Sequence, residues 1–160
     1  MAQIRLAIAG VGNCASSLLQ GIEYYQPPVS AETAGLVHPE IGGYRIHDLK
    51  PVAAFDIDVR KVGRPLHEAI FAPPNCTATF KRELPDFGVT VQMGPVLDGV
   101  AAHMKDYPAD RAFRVAEQRP CDVAQVLRDS GAHVLVCYMP VGSEQAVQHG
   151  RRSGFELGQQ

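Results

Sequence analysis

No apolar run in this 160-residue sequence approaches the roughly 18 residues needed to cross a bilayer. The opening MAQIR passes straight into a strand-like run, which leaves no room for a secretory leader. Together these features predict a cytoplasmic protein with no membrane partner. Excess charge is missing too: the formal net charge is -2, without the basic surplus that a nucleic-acid or anionic-membrane binder carries. The four cysteines, Cys14, Cys76, Cys121 and Cys137, form no CxxC pair and stand at no zinc-finger spacing from a histidine. No metal site is therefore expected. Cys14 and Cys137 sit in apolar contexts and are expected to act as small core residues. The six histidines are scattered without ligand spacing. A Walker-type G-x-x-x-x-G-K-[ST] loop and a G-x-S-x-G nucleophile elbow are both absent. Ser143 therefore reads as a turn-forming or ribose-contacting residue rather than a nucleophile. No internal repeat or low-complexity tract interrupts the chain.

What remains is a globular composition. With 46% hydrophobic and 20% charged residues, the chain can bury a real core, and its length suits one domain. IRLAIA (Ile4 to Ala9) reads as a buried strand of the parallel-sheet kind. A helix is predicted over 13–25, with Asn13 as N-cap, Cys14, Leu18, Leu19 and Ile22 on its apolar face, and Ser17, Gln20 and Glu23 opposite. Pro27 and Pro28 end it. Residues 29–50 lack a clear period and read as an insertion before a second strand, PVAAFDID (Pro51 to Asp58).

The second half repeats the alternation. Leu66, Ala69 and Ile70 share helical spacing. GVTVQ (Gly88 to Gln92) is a third strand candidate, and a helical segment is expected over 98–107. PCDVAQVLRDSG is a better helix, with Pro120 in its first turn and Gly131 as its stop. HVLVCYM (His133 to Met139) reads as a strong buried strand, and PVGSE as a turn toward another helix. Strands alternating with helices predict an α/β fold of Rossmann-like type, with a mainly parallel sheet flanked by helices.

The chemistry concentrates in GVGNCA, which follows the first strand and opens the first helix. It fits G-x-G-x-x-G/A with Gly10, Gly12 and Ala15 in the key places. Gly10 allows the tight turn, Gly12 lets a pyrophosphate approach the backbone, and Ala15 lets helix and strand pack closely. The helix start offers free N–H groups and partial positive charge. The same pattern also serves as a bare strand-to-helix turn. Asp56, at the end of the second strand, is placed to accept from the adenosine ribose hydroxyls and to repel the extra phosphate of NADP, which favours NAD. Its usual distance from the loop is about 20 residues. Here the gap from Ala15 is about twice that, and the irregular 29–50 segment fills the excess. Asp58 competes for the role, and both acids can instead simply solubilise a strand end.

Several segments together carry a family resemblance: IAGVGNCASSLLQGIEYY, GLVHPEIGGYRIHDLKPVAAFDIDVRKVG, EAIFAPPN, GVTVQMGPVLDGV and CDVAQVLRDSGAHVLVCYMPVGSEQA. From about Ile4 to Ala146 the chain resembles the N-terminal part of bacterial, actinobacterial-type myo-inositol-1-phosphate (inositol-3-phosphate) synthases. The resemblance implies a Rossmann-type NAD domain, here 1–146, joined in the family to a second α/β domain that this apparently truncated chain lacks. It also implies conversion of glucose 6-phosphate to inositol phosphate for phospholipid biosynthesis, through NAD-dependent oxidation, enolisation, aldol closure and reduction. By motif, Gly10, Gly12, Asn13, Cys14 and Ala15 would line the pyrophosphate and Asp56 the ribose. Tyr138, Pro140, Val141, Gly142 and Ser143 would wall the cofactor. The family's catalytic lysines lie in later segments, so no catalytic residue is assigned. A homo-oligomer is compatible with an open sheet edge. Residues 147–160, with Gly150, Gly154 and Gly158, read as a poor helix and an aberrant or disordered tail. The rival readings are a non-catalytic NAD-binding remnant and a fragment of another NAD-dependent dehydrogenase.

Overall fold

The computed structural model describes residues 3–27 and 35–155. Strand β1 (Ile4–Ala9) leads through a glycine turn into helix α1 (Asn13–Tyr24). A two-residue hairpin, β2 (Glu40–Ile41) and β3 (Tyr44–Arg45), and a 3-10 turn (Ile46–Asp48) precede β4 (Leu49–Asp56). Then come the short helix α2 (Leu66–Ala69), β5 (Val91–Met93), a 3-10 segment (Ala102–Asp106) and α3 (Val123–Ser130). Strand β6 (Val134–Cys137) and helix α4 (Glu144–Phe155) follow. The main sheet has the order β5-β4-β1-β6, and every pairing in it is parallel. This is the Rossmann-like α/β arrangement, with β1 central.

Period-two alternation divides the core into two layers. Ile8 and Ala54 face α1 and α2, where they pack with Ala15, Leu19, Ile22, Leu66 and Ile70. Ala7, Ala53 and Phe55 face the other way, onto Val123 and Leu127 of α3. Pro51 lies inside β4, where a missing N–H would interrupt a ladder. The β1–β4 register shifts between Leu6 and Ala7, opposite Pro51 and Ala53, and β5 pairs only from Ala54 onward. The proline thus sits at the irregularity. Helix α3 starts one turn later than Pro120 suggests, because the Asp122 carboxylate accepts from the Gln125 N–H as its N-cap. Gly131 ends it in the left-handed conformation, at φ 58°.

Several sequence expectations are corrected. Gln20 does not face solvent. Its Oε1 accepts the backbone N–H groups of Phe80 and Lys81, and its Nε2 donates to Ser16 Oγ and the Ala78 carbonyl. The side chain is fully buried because it stitches 78–81 onto α1. Asn13 is not the N-cap of α1; that position is Gly12. Instead, Asn13 Oδ1 accepts from the Cys76 N–H at 2.9 Å. Cys14 and Cys137 are both exposed rather than core. Strand β6 is only partly buried because it forms the sheet's outer edge, with Val134 44% exposed. The 98–107 stretch forms only the short 3-10 segment.

Residues 147–155 are helical, against the expectation of an aberrant or disordered tail; 156–160 lie outside the described residues, as do Pro28 of the helix stop and 29–34 of the predicted insertion. Glycine costs about 1 kcal/mol relative to alanine inside a helix. Packing offsets this in α4. A Cβ at Gly150 would stand 3.3 Å from Leu135 Cδ2, so the bare glycine lets the helix close onto β6. Ser153 is buried, and its hydroxyl donates to the His149 carbonyl. At the helix start, Asp98 accepts the N–H groups of Gln145 (2.7 Å) and Ala146 (3.2 Å).

Candidate functional site

The carboxyl ends of β1, β4 and β6 converge on one cavity of about 260 Å³. The chain crosses from β1 to β4 on one side and on to β5, and the crossover from β5 returns past β1 to β6 on the other side. The cavity therefore lies at the topological switch point where open α/β sheets hold ligands.

The turn off β1 is built for closeness. Gly10 has φ +93°, and a Cβ there would sit 3.0 Å from both the carbonyl carbon and oxygen of Tyr138. Its N–H donates to the Phe55 carbonyl, while the Tyr138 N–H donates to Ala9. A side chain at position 10 would force the ends of β1 and β6 apart. Gly12 is different. Its φ is -104°, and nothing lies within 4 Å of where a Cβ would stand. Neither backbone conformation nor packing requires glycine there. Just beyond it, the amides of Asn13, Cys14 and Ala15 have no acceptor among the described residues, as expected at a helix start. Ala15 is fully buried between α1 and the sheet, the close-packing place its motif position implies.

Asp56 ties β4 to this turn. Its Oδ2 accepts the Val11 N–H at 2.7 Å, and its Oδ1 accepts those of Ile57 (2.7 Å) and Asp58 (2.8 Å). Asp56 lines the cavity; Asp58 does not. Asp58 is buried and closed onto Arg60, whose Nη2 lies 2.7 Å from Asp58 Oδ2. Arg60 also donates to the carbonyls of Ala109 and Ala112. The two acids that the sequence left in competition are thus separated by their partners.

Of the remaining expected site residues, Asn13, Tyr138, Pro140 and Ser143 line the cavity with Gly10, Gly12 and Asp56. Cys14, Ala15, Val141 and Gly142 do not; Val141 is fully exposed, and Gly142 turns outward at φ +92°. Burial, with the Cys14 thiol beside it, pushes the Tyr138 phenol above its ordinary value, so it stays a protonated donor near neutral pH. The Ser143 hydroxyl is buried without a hydrogen-bond partner, an orphaned polar group on the cavity wall.

The sequence reading missed the rest of the wall. Leu97, Gly99 and Val100 come from the segment after β5, and Phe113 from beyond it. Gly99 lies against Ser143: a Cβ there would come 2.6 Å from the hydroxyl. Lys61 also lines the cavity, and among the described residues it is the only lysine or arginine to do so. Its position five residues beyond Asp56, in DVRKVG, was the available signal.

No family model matches the chain. It is 46% identical over 145 residues to a protein named inositol-3-phosphate synthase from Mycolicibacterium smegmatis, an alignment covering 90% of this chain and 38% of that one. A second protein of that name, from Corynebacterium glutamicum, is 46% identical over 156 residues, covering 97% of this chain and 41% of its own. That span necessarily takes in most of the residues after Ala146, which are therefore not foreign to the similarity. The crystal structure of Ari2 superposes with a TM-score of 0.76 at 37% identity, over 96% of this chain and 43% of Ari2. A myo-inositol-1-phosphate synthase-related protein from Thermotoga maritima, at 17% identity and a TM-score of 0.54, shares the fold. The chain is a relative of the inositol-3-phosphate synthases, and it spans 38 to 41% of the length of these curated relatives.

Proposed function

We propose that the cavity at the ends of β1, β4 and β6 binds a dinucleotide of the NAD class, and that the chain is the NAD-binding portion of an inositol-3-phosphate synthase acting on glucose 6-phosphate. One observation carries the reading. Gly12 is a glycine that the protein's own packing does not need, on a cavity wall, beside three helix-start amides without acceptors. A pyrophosphate supplies both what fills the space and what accepts those amides. Asp56 stands at the ribose end, and its negative charge favours NAD over NADP. Asn13 and Cys14 flank the phosphates. Tyr138, Pro140 and Ser143 wall the cofactor, with Val141 and Gly142 carrying the chain around it. The dinucleotide unit is 1–146, and the packed helix α4 extends it to Phe155. When bound, NAD supplies hydride transfer; the chain's own residues bind it, orient it and exclude water from one of its faces.

Chemistry on the sugar is a separate matter. Enolisation and a phosphorylated substrate call for several cationic groups within hydrogen-bond reach. Among the described residues, Lys61 is the single lysine or arginine on the cavity wall. We therefore expect the 160-residue chain to bind cofactor and to form no detectable inositol phosphate from glucose 6-phosphate, which is the remnant-like reading of its activity. The open edge of β6 is the surface through which self-association would occur. No helix among the described residues is long and apolar enough to cross a membrane.

The test is calorimetric titration of NAD and NADP into the chain and into Gly12→Val. Valine at an open position with negative φ is expected to leave the melting curve close to the parent's and to abolish NAD binding. Unchanged NAD affinity in the variant would refute the placement of the pyrophosphate.

A further inference from the structure

The far wall of the cavity, supplied by Leu97, Gly99 and Val100, is held in place lightly. Residues 95–100 form no helix or strand, and none of them is buried. Among the described residues, no backbone hydrogen bond ties 95–100 to the rest of the protein. Their fastening is one side chain. Asp98 Oδ2 accepts the Gln145 N–H at 2.7 Å, and its Oδ1 accepts the Ala146 N–H at 3.2 Å.

By position, those two amides belong to another group. The Ser143 carbonyl accepts the Val147 N–H at 2.9 Å, which makes Ser143 the N-cap of α4. A serine there ordinarily turns its hydroxyl onto the second or third helical amide, here Gln145 or Ala146. Asp98 has taken both. The displaced hydroxyl is left buried and without a partner, against Gly99. The carboxylate makes the stronger bonds, but while it holds them the serine carries the cost of an unsatisfied buried group. In the alternative arrangement Asp98 returns to water, the hydroxyl gains a partner, and α4 stays capped. Two groups thus compete for one pair of amides, which is the makings of a two-state element.

We propose that residues 95–100 are a latch on the cavity, shut while Asp98 caps α4 and released when the Ser143 hydroxyl takes over the cap. Release moves Leu97, Gly99 and Val100 off the far wall and opens a way in and out for a ligand. The gating of a dinucleotide rests on the reading of the cavity as a nucleotide site; the exchange of caps does not.

The experiment compares the full chain with Asp98→Ala, Ser143→Ala, the double variant and Gly99→Ala. Melting without ligand reads the caps. With Asp98 present, Ser143→Ala removes only an orphaned hydroxyl, and the variant is expected to melt at or above the parent temperature. In the Asp98→Ala background the same change removes the substitute cap, and it is expected to lower the melting temperature by about 2–6 °C. A pair with a merely structural role gives no such inversion of sign. A Ser143→Ala effect of the same sign and size in both backgrounds overturns the proposal. Gly99→Ala disturbs the latch with Asp98 in place, because its Cβ would stand 2.6 Å from the hydroxyl and drive it toward the α4 amides. Release of NADH, followed by its fluorescence during a chase with excess NAD, is expected to be about threefold faster or more from Asp98→Ala and from Gly99→Ala than from the parent. Unchanged release from both variants overturns the latch while leaving the nucleotide reading intact. A parent that binds no NADH overturns the nucleotide reading instead, and the melting comparison then decides the exchange of caps.

Discussion

Replacing Asp56 by asparagine tests whether this carboxylate is first a structural tie and only then a reader of ribose. The substitution preserves shape and removes charge and one acceptor oxygen. The native group accepts Val11 N–H on Oδ2, and Ile57 and Asp58 N–H on Oδ1, all at 2.7 to 2.8 Å. An asparagine amide has one oxygen. Placed toward Ile57 and Asp58, it turns its NH2 against the Val11 N–H, donor against donor. Flipped, it keeps Val11 and leaves two donors facing it. At least one partly buried amide therefore loses its acceptor, which costs about 1–3 kcal/mol. The retained bonds also fall from charge-assisted to neutral strength, roughly a halving. A total of about 2–4 kcal/mol follows, and at ~2–4 °C per kcal/mol for a domain of this size the melting temperature should drop by about 5–15 °C. Thermal unfolding of the unliganded chain at neutral pH reads this directly. Titrations then show whether NAD affinity falls as the glycine turn loosens, while NADP gains from the lost repulsion. A variant that melts within about 1 °C of the parent, with only NADP affinity changed, would refute the tie and leave Asp56 a free ribose acceptor.

The remaining expectations concern the cavity's rim and its far wall. The Gln145 N–H, together with the Ala146 amide, holds the Asp98 carboxyl below the usual carboxylate value against its desolvation. A depressed folded-state value means that the tie to α4 is present at neutral pH and lost as pH falls through that lowered value. Amide exchange at Gln145 and Ala146 should accelerate in acid and, at neutral pH, in Asp98→Asn; exchange unchanged in the variant would contradict the cap. Burial pushes the Cys121 thiol up, whereas Cys14, Cys76 and Cys137 are exposed. Alkylation followed by mass spectrometry should therefore label those three before Cys121, and NAD should protect Cys14 most. Gly150→Leu forces a side chain onto Leu135 and should lower the melting temperature by several degrees, whereas Gly154→Ala, with open space around it, should raise it slightly.

The architecture was legible because its signals are local. IRLAIA is a parallel strand by composition, and it pairs on both edges as such a strand must. Gly10, Gly12 and Ala15 could be picked out from spacing; the packing of the turn accounts for Gly10 and Ala15, while nothing around Gly12 calls for glycine. Choosing between Asp56 and Asp58 was not possible from spacing, because the choice depends on Arg60 and on two carbonyls about fifty residues away. Gln20 was misread for the same reason: its four partners lie in Ser16 and in a segment that no periodicity ties to α1. Helix propensity argued against α4, where Gly150 serves tertiary packing rather than local preference. The cavity's far wall, from Leu97 to Val100, comes from irregular chain that carries no pattern at all.

On the proposed reading, cofactor binding and sugar chemistry separate for a topological reason. A switch point needs one strand flanked by two others reached through crossovers in opposite directions, and β1 with β4 and β6 already satisfies this. The glycine turn, the acid at the end of β4 and the start of α1 all belong to those elements, so on the proposed reading the four strands supply the dinucleotide's contacts. Further strands beyond β6 would pair with its outer edge, on the side away from β4, and would not alter the ties at Gly10 or Asp56. Phosphate-sugar chemistry places different demands on a fold. It needs cations arranged around a second ligand, and among the described residues the wall's ionisable groups are Asp56, Lys61, Tyr138 and His149. The proposed cofactor-binding role is therefore the one this wall suits, and sugar chemistry would call for cations that the wall does not carry among the described residues.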